Sequence, residues 1–201
     1  MTTARDLLIV TMDVGTGHAV EQGNLSLALA GAELIDLVES SALALDGDRI
    51  VPGTQPATGD RLLDEAASSL VREEPYESAE DWLWRRGRGL SSAYLAALET
   101  EGLVTRERGR RFPVRTGRRA LVDSPDRRHA EERLASDEPV LAALTAALRI
   151  RDESADDLPE VTVDAVATVL ATVGDAVTEL EAVRQRRTIE DAAFDNVWRG
   201  L

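Results

Sequence analysis

The sequence predicts a mainly α protein, a compact helical domain carrying two or more short β-hairpins. Apolar residues recur three and four apart in several stretches too long to be strands. The aromatic complement is only three Trp, two Tyr and two Phe in 201 residues. The core must therefore be built from Leu, Val and Ala, which suits close-packed helices better than a β-sandwich. Two further segments place short extended arms on either side of a glycine, the pattern of a hairpin.

Taken in order, residues 12–18 (MDVGTGH) read as a loop between two helices. They have neither the third glycine of a dinucleotide fingerprint nor the Gly-Lys-Ser/Thr of a phosphate loop. Residues 25–38 (LSLALAGAELIDLV) are apolar over a length that favours a buried helix, although Leu25, Leu27 and Leu29 alternate as a strand would. In residues 43–51 (LALDGDRIV) two apolar arms flank Asp46-Gly47, a dipeptide suited to the positive φ of a tight hairpin turn. Residues 60–71 repeat Leu62, Leu63, Ala66, Ala67, Leu70 and Val71 at helical spacing, with Asp60 placed as N-cap. Residues 90–104 form the next helix, with Ser91 or Ser92 near its start and Gly102 as a left-handed terminator. The following LVTRERGRRFPVRT predicts a second, arginine-studded hairpin hinged near Gly109. Residues 129–150 are helical around LAALTAAL, and residues 161–183 line up Val163, Val166, Val169, Leu170, Val173, Val177 and Leu180 on one face. Phe194, Val197, Trp198 and Leu201 fall at i, i+3, i+4 and i+7, which predicts a terminal helix docked on the core. Residues 153–160 are the expected exposed loop. No repeat or linker interrupts the chain, so residues 1–201 are expected to fold as a single domain.

The chain carries 37 acidic and 23 basic side chains, a formal charge of -14, and every basic residue is arginine. The absence of cysteine excludes a disulfide framework, a thiolate metal site and a cysteine nucleophile. No run approaches the ~20 apolar residues of a membrane-spanning helix. The N-terminus lacks a basic start, a long apolar segment and a small-residue cleavage site, so a cytoplasmic protein is expected. His18 and His129 have no metal-ligand spacing with each other or with neighbouring acids. The adjacent pairs Asp64-Glu65 and Asp156-Asp157 point in different directions on a helix or lie in solvent. The reading is a non-enzymatic protein with no metal and no cofactor.

Charge is unevenly placed. Residues 82–128 sum to +7, against -12 before them and -9 after. Because charges more than about 8 Å apart are largely screened at physiological salt, such a stretch can present a positive surface on an acidic protein. Arg85, Arg86 and Arg88 follow Trp82 and Trp84, and the second hairpin adds Arg106, Arg108, Arg110, Arg111 and Phe112. Tryptophan beside arginine suits a membrane interface, where the ring lies among head groups and the guanidinium holds phosphate. Each basic residue near an anionic bilayer contributes about 1 kcal/mol. Two neighbouring tryptophans cannot both point inward on a helix, and Trp84 is expected in the core or at the interface. Two alternatives use the same residues. A helix followed by a basic hairpin also describes a winged-helix DNA-binding regulator, but SSAYLAALETE offers no Arg, Asn or Gln to read bases. A protein-interaction adaptor is the other.

The segment ATGDRLLDEA, residues 57–66, follows a short hairpin and is preceded by LALAGAELIDL; a helix ending LETEGLV then leads into an arginine-rich hairpin. Together these blocks resemble the Golgi phosphoprotein 3 family across most of the chain. The resemblance implies a mainly helical fold with a few hairpins, and Trp82, similar to a structural tryptophan of the family, is expected in the core. It also implies a non-catalytic, peripheral membrane protein that recognises phosphatidylinositol 4-phosphate through a basic pocket. Carried over without gaps, the family's pocket tryptophan falls on Glu21, its first arginine on Ala30, and its arginine pair on Arg88 and Ser91, so only Arg88 matches. A glutamate in place of an aromatic would repel the anion. The expected head-group residues are therefore Arg88, Arg85, Arg86, Ser91 and Trp84, with Arg106, Arg108, Arg110, Arg111 and Phe112 as a membrane-facing hairpin. The expected partner is an anionic, phosphoinositide-like phospholipid surface. The arginine-rich, lysine-free, alanine-rich composition is typical of GC-rich coding and suggests a bacterial cytoplasm.

Overall fold

The computed structural model describes residues 1–13, 20–54, 58–106, 119–150 and 159–199, with residues 106 and 192–199 as backbone alone. Eight helices and two hairpins are formed by these residues. In chain order they are α1 (Thr3–Asp13), α2 (Gln22–Glu39), β1 (Leu43–Asp46), β2 (Arg49–Pro52), α3 (Arg61–Ser68), α4 (Ala79–Arg86), α5 (Leu90–Thr100), β3 (Val104–Arg106), β4 (Arg119–Leu121), α6 (Pro125–Ala135), α7 (Pro139–Ala147) and α8 (Asp164–Arg199). The expected mainly helical class with short hairpins is thus the one observed.

Helix α2 is the centre, with α1, α3, α4, α5, α7 and α8 all packed on it. Every residue from Asn24 to Ile35 is buried, which explains why its sequence shows a continuous apolar run rather than a stripe. Its closest neighbour is α8, at Gly31, where a Cβ would collide with Val173. Helix α1 is surrounded in the same way, with Leu7, Leu8, Ile9 and Val10 all buried. Asp6, also fully buried, receives a 2.6 Å hydrogen bond on Oδ2 from Arg133, while its Oδ1 has no partner among the described residues. Burial pushes this carboxyl above the ordinary aspartate range, against the pull of Arg133.

Several boundaries differ from expectation, each for a local reason. In the first hairpin Asp46 pairs with Arg49, so the two-residue loop is Gly47-Asp48 and Asp46 belongs to the strand. Gly47, at φ +61°, takes the first loop position. Asp60 caps α3 as expected, accepting from Leu62 N at 2.9 Å and Leu63 N at 3.1 Å. The helix ends at Ser68, however, which leaves Val71 outside it and 40% exposed. Gly102 ends α5 with φ +76°. The strand paired with β3 is residues 119–121, beyond the expected return arm, and the hinge near Gly109 lies outside the described residues. The helix expected over 129–150 is two, because Asp137 takes φ +50° and Pro139 starts α7 as its first residue. Val163 precedes α8 and is 51% exposed, whereas Val166, Val169, Val173 and Val177 are buried as expected. The terminal helix is not a separate element: α8 continues unbroken to Arg199. The expected docking side chains Phe194, Val197, Trp198 and Leu201, the 12–18 loop beyond Asp13 and most of the 153–160 loop lie outside what is described.

Candidate functional site

A cleft of about 290 Å³ opens where the start of α2, the end of α4, the start of α5 and the middle of α8 meet. Its shape follows from the turn between α4 and α5. Ser78 caps α4 through a 3.0 Å hydrogen bond from Asp81 N, and the first hairpin anchors the same end through Ala79 N to the Asp48 carbonyl at 2.8 Å. The helix runs only as far as Arg86. Gly87 then passes so close to α2 that a Cβ would sit 3.3 Å from the Ser26 carbonyl, and Gly89 takes φ +72° to start α5. Arg88 is held between these glycines and lines the cleft beside Trp84, which is half-buried. Beneath a mostly apolar lining the buried Ser26 and Ser91 bond to each other: their Oγ atoms lie 2.9 Å apart, and Ser91 N donates to Ser26 Oγ at 3.1 Å. Gln22 and Gly23, in the first turn of α2, form another wall, and Glu21, the N-cap residue, makes no side-chain cap. The backbone N–H groups of that turn favour negative charge.

The structure separates the three clustered arginines. Arg85 lies against Glu77, with hydrogen bonds of 2.6 and 2.7 Å, and over the Trp82 ring at 5.1 Å. Arg86 turns inward, donating to both carboxylate oxygens of the fully buried Glu33 at 2.8 and 2.9 Å, to Glu65, and to the Leu62 carbonyl. Burial raises the Glu33 carboxyl, and Arg86 and Tyr94 pull it back; the Tyr94 hydroxyl, buried beside that carboxylate, is raised as well. Arg88 alone of the described 82–128 arginine side chains has no carboxylate partner; Arg119, Arg127 and Arg128 are paired with Glu99, Asp13 and Asp123 respectively.

Trp84, Arg88 and Ser91 are therefore brought together, while Arg85 and Arg86 serve ion pairs outside the cleft. Trp82 is fully buried and donates its indole N–H to the Ala30 carbonyl at 3.2 Å. Ala30, which the ungapped carry-over matched to a family arginine, is completely buried in the core. Glu21 is exposed at the entrance to α2. Of the hairpin residues, Arg106 lies on β3 with its side chain outside the described set, and Arg108, Arg110, Arg111 and Phe112 lie outside the described residues altogether.

A larger groove of about 780 Å³ lies near the N-terminus, around Arg5, Asp36, Glu39, Asp60, Glu101 and Asp126. Its one guanidinium, Arg5, is held by Glu101 and Asp60, so the groove repels anions. Among the described residues no group of three or more His, Cys, Asp or Glu side chains could hold a metal, and no helix is long and apolar enough to cross a membrane. A family model described as Golgi phosphoprotein 3 (GPP34) matches residues 4–190. No curated protein matches the chain.

Proposed function

The chain belongs to the Golgi phosphoprotein 3 family, and from that premise we propose that it is a non-enzymatic, peripheral membrane protein that holds the phosphate of an anionic phospholipid head group in the cleft at Arg88. The observation that carries this reading is the state of Arg88: a guanidinium free of carboxylate partners, lining the cleft between an indole and the first turn of α2. Such a guanidinium can donate two parallel hydrogen bonds to a phosphate. Trp84 suits the head-group layer, where an amphipathic ring is at home. The protein acts from the cytoplasmic side, with the hairpin arginines Arg106, Arg108, Arg110 and Arg111 and Phe112 adding attraction to the surface. Arg85 and Arg86 do not touch the ligand; they fix α4, and through it the position of Arg88.

Arg88 is the one guanidinium among the described residues lining the cleft, and Ser91, where the family resemblance implies a second arginine, supplies none. Anionic phospholipids with and without a phosphoinositide head group therefore belong in the same test. Flotation with neutral, phosphatidylglycerol and phosphatidylinositol 4-phosphate vesicles, wild type beside Arg88→Ala, decides it. Anionic-vesicle binding that falls roughly tenfold in the variant is the expected result, the equivalent of one charge-assisted hydrogen-bonding group. Absence of wild-type binding to any vesicle would sink the reading. A winged-helix use of α5 has no support in its surface, because the exposed positions Ser92, Ala96 and Thr100 carry no base-reading or cationic side chain.

A further inference from the structure

Helix α8 forms one wall of this cleft through Leu180, and one turn further along it places Arg184 against Gly23. The contact is close: a Cβ at Gly23 would collide with Arg184 Nη2 and lie 2.9 Å from Leu180 Cδ2. Arg184 has no carboxylate partner among the described residues, although Glu181 is available three residues earlier on the same helix. Asn24 keeps the two apart. Its Nδ2 donates to Glu181 Oε1 at 3.1 Å and its Oδ1 accepts from Arg184 Nη1 at 2.7 Å, while the other Glu181 oxygen is taken by Arg149 Nη2 at 2.9 Å. The amide orientation is dictated by its neighbours, since a carboxylate can only accept and a guanidinium only donate. Asn24 is 6% exposed, so the relay is held in packed surroundings.

We infer that Arg184, held free of Glu181 by Asn24 and resting against Gly23 at the rim of the cleft without lining it, swings in as a second phosphate-binding residue beside Arg88. This rests on the head-group reading above and extends it to α8. An aspartate at position 24 would neutralise Arg184, and a side chain at position 23 would displace it; the amide and the glycine avoid both. Two guanidiniums reaching one phosphate from different elements replace the second cation that Ser91 does not provide.

The test uses the full chain and phosphatidylcholine vesicles with and without phosphatidylglycerol or phosphatidylinositol 4-phosphate. Arg184→Gln is expected to weaken anionic-vesicle binding roughly tenfold, whereas Arg187→Gln, on an exposed position of the same helix, changes it less than about twofold, as one screened surface charge should. Asn24→Asp is expected to weaken binding as Arg184→Gln does, and provides a readout should the glutamine variant fail to fold, with circular dichroism as the check. Soluble glycerol 3-phosphate should displace the wild-type protein from vesicles. Wild-type affinity in Arg184→Gln with loss in Arg88→Ala would overturn the role of Arg184 and leave the head-group reading standing. Equal losses in Arg184→Gln and Arg187→Gln, or no displacement by glycerol 3-phosphate, would also overturn it. No wild-type binding to any vesicle would remove both.

Discussion

Arg86 and Glu33 meet through two hydrogen bonds, and Glu33 is fully buried, so neither charge can be removed alone without stranding the other. Arg86→Ala is expected to destabilise the protein by about 3–5 kcal/mol, read by urea unfolding, because it leaves an uncompensated buried carboxylate. Asp36 behaves differently. It accepts from Thr3 N at 2.9 and 3.1 Å, and burial pushes its carboxyl up to about 6. A raised carboxyl favours the fold while protonated, so its contribution is complete below pH ~4 and is lost as pH rises through about 6. Urea midpoints from pH 4 to 7.5 should show a smaller decline in Asp36→Asn than in the wild type; identical slopes would mean that Asp36 is not the group responsible. In sequence, local charge and spacing did not tell Arg86 from Arg88; only the family resemblance singled out Arg88. The difference arises because Glu33 reaches the end of α4 from the middle of α2, a pairing across 53 positions.

At the scale of elements, the packing of α8 on α2 depends on the absence of a side chain at Gly31, where a Cβ would meet Val173. Gly31→Ala is expected to cost about 1–3 kcal/mol by overpacking, and Val173→Ala in the same chain should recover part of it by opening the space. An additive double variant would show that the two helices do not press together there. The cap on α3 is a smaller matter: Asp60→Ala removes the acceptor for two backbone N–H groups and should cost about 1 kcal/mol. The cap was legible because an acid before a periodic run is a local signal. The break between α6 and α7 carried a local signal too, Pro139 at the start of α7, whereas the uninterrupted length of α8 did not, since its apolar face fades while the helix runs on.

For the whole molecule, one cluster of buried residues runs from Ala4 through α2 and the α4–α5 pair to Val177, and it includes both Trp82 and the valines of α8. Far-ultraviolet circular dichroism and tryptophan emission should therefore report the same urea midpoint, as a two-state unit requires. Separated midpoints would contradict the single domain expected for residues 1–201. The charge of -14 is distributed so that carboxylates neutralise the described arginines of the central stretch except Arg88. Membrane attachment is thus expected to depend on a few placed guanidiniums more than on net charge.

The sequence by itself determined the helical class, the first hairpin and the caps at Asp60 and Gly102, because each is written in residues close together along the chain; the burial of Trp82 came from the family resemblance. It also brought Trp84 and Arg88 together as a local cluster, while Ser91 was added by the family resemblance. Only the tertiary structure decided which arginines remain free. That outcome depends on which carboxylate each guanidinium reaches after packing: Glu77 for Arg85, Glu33 for Arg86, and none for Arg88. The same reason hid Arg184 from the sequence, where it is one charge among many on a long helix. It lies against Gly23 because α8 crosses the start of α2 there, and a contact between residues 161 positions apart leaves no local trace.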